Sequence, residues 1–84
     1  MKAIYKIIVT IWYKGGDDQH YYLLDFRTKR KALDYAEKVD LLDEFDDPRV
    51  EAIQVNVETW FGDYYDDTQY VWSLEREECE NEKD

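Results

Sequence analysis

Residues 3–13 alternate at period two for eleven consecutive positions. Ala3, Tyr5, Ile7, Val9, Ile11 and Tyr13 share one face, and Ile4, Lys6, Ile8, Thr10 and Trp12 share the other. Nearly all are β-branched or aromatic. A run of this kind fits a pleated surface and no helix, so it fixes a long strand as the first element. It also constrains the rest of the chain. A strand of this length needs partners on both edges and a cover for one face.

The partners can be read along the chain. Lys14 to Gln19 holds the pair Gly15-Gly16, which accepts positive φ and marks a turn. A second strand is predicted over 20–26, with Tyr22, Leu24 and Phe26 inward and Tyr21, Leu23 and Asp25 outward. Thr28 is a suitable helix N-cap, because its hydroxyl can accept an orphan backbone N–H. The spacing of Ala32, Tyr35, Ala36, Val39 and Leu42, widened by Leu33 and Leu41, predicts one helix from Lys29 to Glu44. Pro48 ends it. Arg49–Phe61 reads as a third strand, 62–68 as a hairpin loop, and 69–75 as a fourth strand with Tyr70, Trp72 and Leu74 inward.

The order is therefore ββαββ, an α+β fold. The helix reverses the chain, so the third strand runs antiparallel to the first. A right-handed crossover then gives an antiparallel sheet of order 2-1-3-4 with the helix on one face. Eighty-four residues make one domain, expected over 1–76. Residues 77–84 read as an acidic, disordered tail.

Charge narrows the function. Lys and Arg total 11 and Asp and Glu total 21, a net of −10. Phosphates attract Lys and Arg, so direct nucleic-acid binding is not expected. The charge is also uneven: residues 1–31 carry 7 bases against 3 acids, and residues 32–84 carry 4 against 18. In the predicted topology Arg27, Lys29, Arg30 and Lys31 face Asp63, Asp66 and Asp67. An aromatic content of 17% argues against disorder despite the charge. The apolar run at the start is too short and too charged to span a membrane and has no signal-peptide layout, so a cytoplasmic location is expected.

Chemistry-bearing motifs are few. His20 is the sole histidine and reads as a strand-end residue. Cys79 is the sole cysteine and cannot form an internal disulfide. No Cys/His spacing suits zinc. Counted as an EF-hand from Asp43, Pro48 stands where the glycine belongs and Gln54 where the twelfth-position glutamate belongs, so the calcium pattern fails. Gly15-Gly16 precedes two aspartates, which would repel a phosphate. Neither an enzyme, a metal nor a cofactor is expected.

Two surfaces remain. Asp43, Glu44, Asp46 and Asp47 close the helix, and Asp63-Tyr64-Tyr65-Asp66-Asp67 lies in the second hairpin. Side chains on one strand face repeat at about 6.6 Å, twice the ~3.3 Å rise, close to the step of phosphates along a nucleic-acid strand. The expected function is an inhibitor of the anti-CRISPR or anti-restriction kind, typical of phage, that imitates nucleic acid. These acids would stand in for phosphates, with Trp60, Tyr64 and Tyr65 as anchors in the basic groove of a nucleic-acid-binding protein. The alternative is a protein–protein adaptor or regulatory subunit, homodimeric through the open sheet face, carried by Ile8, Trp12, Tyr21 and Trp60. Trp and Tyr are enriched at binding hot spots.

Overall fold

A computed structural model describes residues 2–76. The acidic tail over 77–84, and Cys79 with it, lie outside the described residues. The elements are β1 (Ala3–Tyr13), β2 (Asp18–Phe26), α1 (Lys29–Lys38), α2 (Leu42–Phe45), β3 (Val50–Phe61) and β4 (Tyr64–Glu75). The sheet order is β2-β1-β3-β4, with every neighbouring pair antiparallel. The fold is α+β, in the order predicted.

The inner face of β1 and β3 forms the core. Ile7, Val9, Ile53 and Val55 are fully buried, with Ile11, Val50 and Val57 close to it. Ala32 and Ala36 bring α1 down onto them with no side-chain bulk between. Thr28 caps α1 as predicted: its backbone is extended (φ −127°, ψ 144°) and its hydroxyl accepts from the Lys31 amide at 3.3 Å.

The single helix expected over 29–44 is two helices. Val39 leaves α1 in an extended conformation (ψ 139°), and the Asp40 carboxylate accepts from the Leu42 amide at 3.0 Å. The reason is packing. At 3.6 residues per turn, Leu41 would sit roughly 140° round the helix from Ala36, facing solvent. The break lets Leu41 bury to 5% exposure and turns Leu42 outward instead, at 58%. The break also frees the Ala36 carbonyl, one of the last four in α1. The Trp72 indole N–H donates to it at 2.6 Å and so ties α1 to β4.

The loop expected over 62–68 is mostly strand. Phe61 pairs with Tyr64 across a two-residue turn, Gly62-Asp63, with Gly62 at φ +62°. The β3–β4 hairpin is therefore a longer ribbon than predicted.

Three bulges on the edge strands correct the side-chain directions. On β2 the register slips between Lys6 and Ile8, so Tyr22 pairs with Ile8 and Tyr21 with Val9. Tyr21 and Leu23 pack on the helix side, while Tyr22 and Leu24 are exposed. On β4 a slip at Val71 puts Tyr70 opposite Asn56 on the open face and lets Val71 pack on the core. A further slip at Asp66 resets the ribbon near its tip. One extra residue on one strand reverses every side chain beyond it.

Candidate functional site

Three regions concentrate chemistry: the end where β1 finishes, the tip of the β3–β4 ribbon, and the open sheet face.

At the first, α2 and the turn after it present Asp43, Glu44, Asp46 and Asp47. They are not equivalent. Asp47 accepts from Arg49 Nε at 3.1 Å, from another guanidinium nitrogen at 2.7 Å, and from the Arg49 amide at 3.0 Å. These bonds hold its carboxyl at about 2, well below the usual range, and raise Arg49 in turn. Glu44 lies beside Tyr21, whose hydroxyl is pushed up by burial first and by that carboxylate second. Asp43, Glu44 and Asp47 line a groove of about 210 Å³ floored by Ile11, Tyr13 and Val50. Asp43 and Asp46 make no ion pair among the described residues, and Asp43 is exposed.

This corner is fixed by Arg76, the last residue of the expected domain, which sequence patterning gives no role. Its guanidinium donates to the carbonyls of Phe45 (2.6 Å), Val50 (3.0 Å) and Asp47 (3.2 Å) and lies 4.5 Å over the Phe45 ring. One cation thereby joins α2, the turn after it and β3.

At the ribbon tip, residues 62–70 are all exposed. Tyr65 pairs with Trp60 edge-on, ring centroids 5.6 Å apart, on the open-face side. Tyr64 stands opposite Phe61 on the other face and is 65% exposed. Asp63, Asp66 and Asp67 flank them and make no ion pair among the described residues. The basic residues Arg27, Lys29, Arg30 and Lys31 do not face these acids as expected. They stand at the β2 edge, three strand spacings away across the sheet. Eleven residue steps of β3 separate the tip from the α2 corner, about 36 Å at ~3.3 Å each.

The open face carries Ile8, Trp12 and Trp60, as predicted, but not Tyr21. Tyr22 takes that place. Lys6 lies 4.7 Å from the Trp60 ring centroid and 5.6 Å from that of Tyr22. Glu58 accepts from both the Tyr22 hydroxyl and the Trp60 indole N–H, each at 2.9 Å. Burial and then this bond raise the Tyr22 pKa. Sequence patterning does not single out Lys6, Tyr22 and Glu58, because only the three-strand register brings them together.

His20 sits between Thr10 (Oγ1 to Nδ1, 3.0 Å) and Asp18 (Nε2 to Oδ2, 3.6 Å). The second distance exceeds hydrogen-bond reach, and the His20 and Asp18 side chains are both over half exposed, so the Thr10 contact is the one that orients the ring. Among the described residues no group of three His, Cys, Asp or Glu side chains could hold a metal ion. No helix of the described chain is long and apolar enough to cross a membrane. Comparison with protein-family models, curated proteins and solved structures finds no match.

Proposed function

We propose that this protein is a cytoplasmic inhibitor, of the anti-CRISPR or anti-restriction kind, that occupies the basic groove of a nucleic-acid-binding protein. It acts by binding and not by catalysis. The observation that carries the reading is the β3–β4 ribbon tip. Asp63, Asp66 and Asp67 are exposed there and in no ion pair among the described residues, with Tyr64 and Tyr65 between them. A charge of −10 speeds encounter with a basic surface, and the tyrosines supply the short-range contact. Asp43 and Asp46, in no ion pair among the described residues, lie at the other end of β3, whose eleven steps span about 36 Å, close to one turn of duplex DNA at ~34–36 Å. A groove built for one turn would meet acids at both ends.

The test is capture from a lysate of the source organism at about 0.1 M salt, with elution by duplex DNA or by RNA. A retained nucleic-acid-binding protein, displaced by nucleic acid and lost at about 0.5 M salt, supports the reading. Asp66→Lys/Asp67→Lys then weakens that partner at least tenfold, about 1.4 kcal/mol. Asp34→Lys/Glu37→Lys on the outer side of α1 does not. Retention that nucleic acid fails to disturb rejects it.

A second reading, an adaptor or homodimer built on the open face, is favoured by Trp12, which is 37% exposed on the same face as Ile8 and Trp60.

A further inference from the structure

We infer that the basic corner of one molecule binds the acidic segment 77–84 of a second copy, so that the protein associates head to tail. The corner is formed where β2 ends and α1 begins. Arg27, Lys29, Arg30 and Lys31 are all exposed there, and Lys2 lines a shallow groove of about 290 Å³ beside Arg27. None of the five makes an ion pair among the described residues, and no acid stands in the first turn of α1 to neutralise them. Five cations in no ion pair among the described residues, gathered at one end of the sheet, present a basic surface to an anionic partner.

The chain itself holds the complementary segment. Glu77, Glu78, Glu80, Glu82 and Asp84 stand against Lys83 alone. The segment leaves the fold at Arg76, whose amide is tied to the Glu51 carbonyl at 2.9 Å. That position is level with the end of β1, on the β4 side of the sheet. The basic corner is level with Ile4 and Tyr5, on the β2 side. Eight or nine steps of ~3.3 Å along the strands and three spacings of ~4.8 Å across them separate the two by about 30 Å. Eight residues reach at most about 29 Å when fully extended. With side-chain length included, Glu82 and Asp84 could approach the corner of their own molecule, with Glu77, Glu78 and Glu80 left short. In a second molecule the whole segment can lie along the corner. Such a contact is heterologous: the donor of one contact is free to accept in the next, giving chains or closed rings.

The experiment is sedimentation of the full chain over a concentration series at about 50 mM and 500 mM salt. Two variants accompany it: Arg27→Gln/Lys29→Gln/Arg30→Gln/Lys31→Gln, and Glu77→Gln/Glu78→Gln/Glu80→Gln/Glu82→Gln. The four corner positions are exposed and the four others lie beyond β4, and circular dichroism checks that each variant is folded. The natural chain is expected to gain mass with concentration at low salt and to lose that gain at high salt. Each variant alone is expected to need at least tenfold higher concentration, while an equimolar mixture of the two recovers association, since one supplies the segment and the other the corner. A natural chain that stays monomeric to about 1 mM at low salt overturns the inference. So does a variant that associates like the natural chain, or a mixture that recovers nothing. Duplex DNA bound equally by the natural chain and the Gln-segment variant, and lost by the corner variant, would overturn it by assigning the corner to nucleic acid.

Discussion

Replacing Arg76 tests how far a single side chain at the end of the described fold holds the α2 corner in place. In Arg76→Ala the carbonyls of Phe45, Asp47 and Val50 lose the guanidinium, the Asp47 carbonyl keeping its bond from the Val50 amide, and the Phe45 ring loses the cation above it. A hydrogen bond to a charged group contributes about 1.5–3 kcal/mol net, and a cation over an aromatic ring about 0.5–1. The bonds share one guanidinium and are not additive. The shortest, to Phe45, dominates, and about 2–3 kcal/mol is expected in total. For a domain of 60–100 residues each kcal/mol moves Tm by about 4–8 °C, so the loss is about 8–24 °C. Arg76→Lys keeps the charge but not the planar fork that reaches three acceptors, and is expected to recover less than half. Thermal unfolding monitored by circular dichroism reads the global effect. Amide exchange at Phe45 and Asp46, which donate to the Leu41 and Leu42 carbonyls, reads the corner itself. A fall in Tm of under about 3 °C, with no faster exchange at those amides, would refute the assignment of Arg76 as the clamp.

Asp47 titrates at about 2 in the folded protein against an ordinary 3.8, so its bonds to Arg49 stabilise the fold fully above about pH 4 and are lost as pH falls from 4 to 2. The difference in Tm between the natural chain and Asp47→Asn should therefore be present at pH 5–7 and close by about pH 2; a gap that does not change with pH sinks the argument. Trp12→Ala should alter self-association more than Tm if the open face is an interface, because Trp12 is 37% exposed and lies outside the core cluster; an unchanged sedimenting mass rejects the dimer face.

Strand order and core are legible in the sequence because they rest on chemistry that acts locally. The alternation of β1 and β3, the Thr28 cap and the pair Ala32/Ala36 each report a periodicity or a backbone need within a few residues. Leu41 departs from its pattern because its burial depends on the sheet beneath the helix, which outweighs the local preference for a continuous helix. Tyr21, Tyr22, Tyr70 and Val71 depart for another reason. Strict period two is the right rule only for a strand without bulges, and nothing in His20–Phe26 or Gln69–Glu75 marks the extra residue. The candidate site is legible to the same extent. Asp63–Asp67 stand out as an acidic, aromatic string but not as a strand-paired ribbon. Asp47 looks like its neighbours in sequence, although its bonds to Arg49 set it apart.

Three of the bulges fall on β2 and β4, the two edges of the sheet. The one other slip, at Glu51, lies at the very start of β3, where its pairing with β1 ends. An edge strand offers unpaired N–H and C=O groups to any passing chain, and a bulge makes that edge irregular. Deleting Val71 separates this role from folding. Val55 pairs with Trp72 and Asn56 with Tyr70, so removal of the residue between them leaves a continuous ladder with both faces unchanged. The loss is the packing of one partly buried valine, at most about 1.5 kcal/mol, or roughly 6–12 °C in Tm. The shortened chain should fold with the same sheet, seen as preserved chemical shifts in β1 and β3. It should also self-associate at high concentration in a way that about 0.5 M salt does not reverse, unlike an electrostatic contact. If the deletion unfolds the chain, the bulge is needed for the β4 register itself. If the chain folds and its concentration dependence matches the natural protein, protection of the edge is not what Val71 provides.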